Sequence, residues 1–259
     1  MITLCLTFDD GLKDHHDIVA PLLEEHGWRG AFNVPTSLMD ERERLKDRGW
    51  VRDICLEGHE DNLMTWVDVR DLIERGHDVY PHTCDHLNLL RLEEDGRIGE
   101  VRAQIENSKQ QFVKHTGLIP DFFCSPHNKK SKIIERIVRK NGMELFECWR
   151  ENFGEKIPYV YQGTITEFIK ERADAGWMHV DIMIHGVDRA HGGWAPFVSK
   201  EEFAAFLDEI TVMESNGLVK VVSYSASHHK PGTFTPLKKS IDRVVGKIRR
   251  CVFKCRKYL

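Results

Sequence analysis

Three clusters of ionisable side chains stand out by type and spacing. Asp9 and Asp10 close a short apolar run, Ile2 to Phe8, and are followed by Gly11. Neighbouring residues on a strand point to opposite sides. A chain that turns at Gly11 can therefore aim one carboxylate at an ion and the other at a proton. The same letters also read as an ordinary Asp-Asp-Gly turn. His82 and His86, in HTCDH, lie four residues apart after a second apolar stretch, a spacing that lets two imidazoles ligate one ion. With one aspartate they form a two-histidine, one-carboxylate set with open positions. Such a set suits catalytic Zn²⁺, Fe²⁺ or Mn²⁺ rather than a closed structural zinc. The alternative is two surface histidines in a loop, and Cys84 between them is a weaker soft ligand. His185 ends HVDIMIH and is a candidate general acid, or else a satisfied core histidine. Asp181 points the same way two pleats earlier, too deep to touch it.

These clusters share a position, each following the end of a predicted strand. The apolar runs predict strands at 2–8, 31–35, 77–80, 121–124, 145–149, 177–185 and 219–225. Helical periodicity predicts helices at 14–26, 65–75, 98–116, 130–141 and 200–216. Gly27 and Gly76 serve as stops and Thr65 as an N-cap. Residues 40–64 form the main irregular insertion. Strand–helix alternation of this kind indicates an α/β domain with a parallel sheet, and about seven strands suggest closure into a barrel. Sites in such folds are built at the C-terminal ends of the strands, where Asp9-Asp10, His82 with His86, Ser125-Pro126-His127 and His185 all fall.

Composition is that of a globular protein, 41% hydrophobic and 30% charged among 259 residues. No window approaches the 18 consecutive apolar residues of a membrane span. The first six residues leave no room for a signal peptide, and the seven cysteines, an odd number, show no tight disulfide spacing. The expectation is a cytoplasmic protein. The net charge of −4 hides an asymmetry: residues 237–259 carry nine Lys/Arg against one Asp, a net +8, which leaves −12 for residues 1–236. In this tail Ile241, Val244, Val245, Ile248 and Val252 repeat like one face of a helix. It reads either as a docked helix with a solvated basic face or as a contact with an anionic membrane surface at the inner face. Nothing else in the chain supports nucleic-acid binding.

Jointly the clusters resemble the polysaccharide deacetylases with a NodB homology domain, carbohydrate esterase family 4. The family's first motif, T-F-D-D-G, is present as Thr7-Phe8-Asp9-Asp10-Gly11, and its second, H-[ST]-x-x-H, as His82-Thr83-Cys84-Asp85-His86. The lead-in from Met64 to Val79 and the late strand Ile182-Met183-Ile184-His185 are also similar, and the resemblance runs from about Thr3 to Ser225. It implies a single-domain distorted (β/α)7 barrel over residues 1–236. It implies that Asp10, His82 and His86 bind one divalent metal, most suitably Zn²⁺, with Co²⁺, Mn²⁺, Ni²⁺ or Fe²⁺ as alternatives. Asp9 would be the general base and His185 the general acid of a hydrolase that frees acetate, or another small acid, from an N-acylated amino sugar.

The chain departs from the family at the third motif, R-x-P-Y, which here reads Cys124-Ser125-Pro126-His127. A thiol supplies no fixed positive charge to orient Asp9, and Lys129, Lys130 and Arg150 are the candidates to replace it. The D-x-x-D-W motif is not recognisable; Trp149 is the candidate for its tryptophan, and Glu147 or Glu151 for the group that orients His185. His127, Trp149 and Trp194 are candidate substrate contacts, His127 as a polar wall and Trp194 as a ring to stack on a sugar face. Their alternatives are a loop histidine and lid packing. His15 and His16 read as surface residues or as residues behind the site, with substrate contact as the alternative. Two further readings stand beside the deacetylase: an amidase or deformylase on a non-polysaccharide amide, and a catalytically inactive glycan-binding barrel.

Overall fold

Among the described residues seven short strands carry the site, and every ladder between them is parallel. They are β1 (Ile2–Phe8), β2 (Ala31–Val34), β3 (Asp78–Pro81), β4 (Phe122–Phe123), β5 (Glu144–Leu145), β6 (His179–Ile184) and β7 (Val219–Val221). The structure is a computed structural model that describes residues 1–44, 49–146 and 162–228. Glu147, Trp149, Arg150, Glu151 and the basic tail 237–259 lie outside the described residues. The barrel belongs to one compact unit, Met1–Ser227. β1 is the hub: it pairs with β6 from Thr3↔His179 to Phe8↔Ile184, with β2 at its end and with β7 at its start. β2 pairs with β3, and the Cys124 N–H donates to the Pro81 carbonyl at 3.0 Å, linking β3 to the β4–β5 pair. This is the α/β, distorted (β/α)7 barrel expected from the alternation of elements.

The period of two along each strand sorts side chains between helices and barrel interior. Leu4, Leu6 and Phe8 pack with Phe32, Val34, Val180, Ile182 and Ile184 in the largest apolar cluster, under the helices. Full burial of one such side chain contributes about 1.5–3 kcal/mol. The alternate residues of β1 and β6 (Cys5, Thr7 and Asp9; Asp181, Met183 and His185) therefore face the interior. A small aromatic cluster of Tyr80, Phe122, Phe146 and Tyr224 fills part of that interior.

Helix ends follow local chemistry. Thr65 begins the helix Trp66–Glu74; the Asp68 carboxylate accepts from the Thr65 N–H at 2.7 Å and from its hydroxyl at 2.9 Å. The helix Ile98–Thr116 stops at Gly117 in the left-handed region, φ 72°. Ser131 and Ser199 cap Lys132–Lys140 and Lys200–Ser215.

Several boundaries differ from expectation. The predicted helix 14–26 is two pieces, a π-turn at His15–Val19 and an α-helix at Ala20–Glu25. Such π-turns concentrate at functional sites. The last predicted strand ends at Val221, and Tyr224–His228 is helical. The insertion 40–64 holds two short helices, Glu41–Arg44 and Trp50–Asp53. Leu89–Glu94 and Gln162–Asp174 are further helices that the apolar pattern did not mark, the latter because its run is largely polar.

Candidate active site

Asp9 and Asp10 part company within one residue. The Asp9 N–H donates to the Ile184 carbonyl at 3.1 Å, so the β1–β6 ladder extends one step past β1. The chain then turns sharply, with Asp10 at φ 78° and Gly11 at φ 65°. Glycine takes up this left-handed backbone without strain, and a Cβ at Gly11 would crowd Met39 Cε at 2.9 Å and Pro35 Cδ at 3.3 Å. Asp9 stays in the barrel interior, where its Oδ1 accepts from Asn33 Nδ2 at 2.6 Å and its Oδ2 lies 3.9 Å from Cys124 Sγ. Asp10 swings toward three histidines. Its Oδ1 is 3.0 Å from His86 Nε2 and 3.7 Å from His82 Nε2, and its Oδ2 is 4.0 Å from His185 Nε2.

The two motif histidines are aimed by a strained loop after β3. Thr83 at φ 65° and His86 at φ 58° both occupy the left-handed region, which costs a non-glycine residue about 1–3 kcal/mol and clusters at functional sites. Surrounding bonds hold the strain: the Thr36 and Ser37 N–H groups donate to the Thr83 and Cys84 carbonyls, and Gln104 Oε1 accepts from the Cys84 and Asp85 N–H groups. The Cys84 thiol turns to the Gln104 carbonyl at 3.7 Å and is not a ligand to this centre. His82 Nδ1–H donates to the Cys124 carbonyl at 3.2 Å, which fixes the tautomer and leaves Nε2 facing Asp10.

The electrostatics follow from burial. Asp10, His82 and His86 are all under 5% exposed. Burial alone would raise the Asp10 carboxyl, but the facing His86, His185 and His82 outweigh it and hold it well below the usual carboxylate range. Burial pushes His82 down to about 4, so its imidazole is neutral at pH 7, as a metal ligand must be.

This donor set fits a divalent cation. The ligand atoms of Asp10, His82 and His86 all lie within 4.8 Å of one another. Asp10 Oδ1 is buried without a hydrogen bond even though two imidazole nitrogens face it. That is an arrangement of donors around a common partner, not of a bonded pair. Asp9, His82 and Cys124 form an overlapping triple. His82 uses Nδ1 on a carbonyl, so the Nε2 side, with Asp10 and His86, is the better set.

The remaining predicted residues divide. His185 is one-fifth exposed, and the exposed Trp194 stands edge-on to it at 5.6 Å between ring centroids. The His127 ring lies 4.9 Å from His86 on a backbone at φ 53°. Lys129 and Lys130 line the small pocket that also contains Asp9 and Cys124. His16 bonds Asp17 and Asp71 instead of facing the centre. Asn33 and Asp14, which sequence reasoning did not assign, support the site, as does His15 in the place behind it that was one of its two main readings. Asn33 holds Asp9. Asp14 Oδ2 accepts from the Val187 N–H at 2.9 Å, and fully buried His15 donates from Nε2 to the His185 carbonyl at 2.6 Å. The π-turn after β1 thus pins the loop after β6. The one available signal was the pair of histidines just beyond Asp9-Asp10-Gly11.

Comparison with known proteins agrees with this geometry. A family model described as polysaccharide deacetylase matches residues 2–146. No match is found among curated proteins. In fold the chain is similar to the Xyl-CE4 domain of a multidomain xylanase from the hindgut metagenome of Trinervitermes trinervoides, at 15% identity and a TM-score of 0.57, over 87% of this chain and 88% of that one. It is similar to the Bc1960 peptidoglycan N-acetylglucosamine deacetylase at 18% identity and a TM-score of 0.56, over 86% of each chain. It is also similar to BA3943 from Bacillus anthracis, described as a CE4 family pseudoenzyme, at 13% identity and a TM-score of 0.54, over 86% of this chain but 64% of that one. With both aspartate and histidine motifs inside the matched segment and mounted on one parallel barrel, the chain belongs to the polysaccharide deacetylase family.

Proposed function

We propose that the chain is a hydrolase that removes an N-acetyl or similar N-acyl group from an amino sugar in a glycan or glycan precursor. The observation that carries this reading is that Asp9 and His185 both lie beside one donor set. Asp9 clusters with His82 within 4.8 Å, and His185 lies 4.0 Å from Asp10. Asp10, His82 and His86 would hold a divalent metal ion, for which zinc is the best match to two imidazoles and a carboxylate. Such an ion, when bound, polarises the acyl carbonyl and acidifies a water. Asp9 takes the proton of the attacking water, and Asn33 keeps its carboxylate aimed. His185 gives a proton to the leaving nitrogen as the C–N bond breaks, so one amide and one water become one carboxylic acid and one amine. Trp194 offers an exposed ring to a sugar face. Cys124 stands where the family's third motif carries arginine, and the Asn33 hydrogen bond supplies the hold on Asp9 that a thiol does not.

The test is metal content together with acetate and formate release from N-acetylated and N-formylated amino sugars and glucosamine oligomers. Wild type, Asp9→Asn and His82→Ala are compared. The reading expects one metal equivalent per chain fewer in His82→Ala than in wild type, and release abolished in Asp9→Asn with the wild-type metal content retained. Metal without release from any amide would overturn it in favour of an inactive glycan-binding barrel.

A further inference from the structure

The interior of the barrel carries a second cluster of metal-ligand side chains, far below the first. Barrel interiors are normally filled with branched apolar side chains. Here the register Cys5↔Asp181, two pairs above Thr3↔His179, puts a thiol, a carboxylate and an imidazole on the same inward rows of β1 and β6. Asp181 is four residues before His185 and Cys5 four before Asp9. At about 3.3 Å per strand residue the cluster lies roughly 13 Å from the candidate active site.

We infer that Cys5, His179 and Asp181 form a second binding site for a thiophilic divalent cation of the zinc class, structural in role and distinct from the Asp10–His82–His86 centre. The ligand atoms of these three residues all lie within 4.8 Å of one another. Zinc bonds of about 2.0–2.3 Å at tetrahedral angles need donors roughly 3.3–3.7 Å apart, within small side-chain adjustments of this arrangement. The imidazole is set for ligation. The Ser227 hydroxyl engages Nδ1 at 3.0 Å, and Nε2 is the nitrogen turned to the cluster, 2.7 Å from Asp181 Oδ1. An outer partner on one ring nitrogen is the usual support of a metal-bound histidine. Charge agrees as well. Asp181 is 3% exposed and Cys5 fully buried, and a buried carboxylate is paired or coordinates metal. A thiolate and a carboxylate neutralise one divalent ion, with neutral imidazole as third ligand. Thiolate, imidazole and carboxylate together favour zinc over calcium or magnesium, which prefer oxygen alone.

The experiment uses the full chain carrying His82→Ala and His86→Ala, which removes two ligands of the active-site set and none of this one. The expected result is one zinc per chain by elemental analysis, lost on adding Cys5→Ser or Asp181→Asn. Cobalt substitution gives an independent reading on protein with its fold intact. Wild-type and Cys124→Ser protein are expected to show a thiolate-to-cobalt charge-transfer band in the near ultraviolet, absent in Cys5→Ser. A folded double-histidine variant without zinc would overturn the inference and leave a hydrogen-bonded Asp181–His179 pair. So would a band that survives Cys5→Ser and disappears in Cys124→Ser.

Discussion

Asn33 donates a 2.6 Å hydrogen bond to Asp9 in the barrel interior, while Asp10, the next residue, has turned through φ 78° toward His86. One strand end thus delivers two carboxylates to two chemical environments. The division depends on the turn at Gly11 and on the side-chain amide that keeps Asp9 from following Asp10.

Removing that amide separates the two tasks. A hydrogen bond to a charged group is worth about 1.5–3 kcal/mol, which corresponds to roughly 10- to 100-fold in rate. Asn33→Ala is expected to lower kcat/KM for amide hydrolysis by that factor with bound metal unchanged. Loss of metal together with activity would mean that Asn33 supports the whole centre and not the base alone. Elemental analysis beside steady-state kinetics makes the distinction.

Metal removal should act on stability as well as activity. A ligand that binds only the folded chain stabilises it by about 4 kcal/mol when present at 1,000 times its Kd. Chelated protein is expected to melt several degrees lower than zinc-loaded protein. Adding zinc back should restore the melting temperature of wild type. In Asp10→Asn the gain should shrink, because the carboxylate that faces both imidazoles is gone. Equal recovery in wild type and variant by calorimetry would contradict the donor set.

Much of this arrangement is legible in the chain itself, and what is not has a physical reason. The Asp-Asp-Gly turn and the HTCDH loop announce themselves because two scarce residue types recur at ligand spacing directly after apolar runs. The helix Ile98–Thr116 keeps its expected bounds because its apolar period persists along its whole length. Asn33 carries no such mark: one amide in a four-residue strand becomes meaningful only when β2 pairs with β1 and sets it beside Asp9. His15 is marked only by its nearness to Asp10, with the surface and the space behind the site both open as readings. A π-turn shifts the register after Asp14 and buries a histidine that helical periodicity places no more inside than out. The polar row Cys5, Asp181 and His179 depends on a strand register that periodicity cannot fix.

His15 also predicts an acid limit to stability. Burial holds its imidazole below the usual value of 6.5 despite Asp14 nearby, so the folded state keeps it neutral. The unfolded chain takes up a proton below 6.5 that the folded chain resists, and stability falls as the pH drops from 7 toward 5. Each such histidine contributes up to about 1.4 kcal/mol per pH unit. His77 and His82, also depressed by burial, add to the same slope. Denaturant unfolding at pH 7, 6 and 5 should show a shallower fall in His15→Gln than in wild type. Identical slopes would exclude His15 as a contributor.

Trp194 and His185 meet edge-on at 5.6 Å, and the backbone between them is tied by a 2.7 Å bond from the Gly186 N–H to the Trp194 carbonyl. If the exposed ring stacks on the sugar, Trp194→Ala removes an aromatic contact worth about 0.5–1.5 kcal/mol. KM for a glucosamine oligomer is then expected to rise about 3- to 10-fold with little change in kcat. A fall in kcat with KM constant would instead make the ring a positioning group for His185.

The basic tail, residues 237–259, gives the last prediction. Its net +8 follows 236 residues of net −12, so electrostatics alone would draw the tail to the barrel as readily as to an anionic surface. The apolar repeat Ile241, Val244, Val245, Ile248 and Val252 separates the outcomes, because an amphipathic helix at a membrane gains from apolar insertion as well as charge. Each Lys or Arg near an anionic bilayer contributes about 1 kcal/mol, and the attraction is screened over a Debye length of about 10 Å at 0.1 M salt. Full-length protein is therefore expected to co-sediment with phosphatidylserine-containing vesicles at low salt and less so at high salt. It should leave neutral vesicles in the supernatant. Deleting 237–259 should abolish sedimentation while metal content stays the same. Sedimentation that survives the deletion would sink the membrane role of the tail, and no sedimentation by either form would assign it to the surface of the barrel.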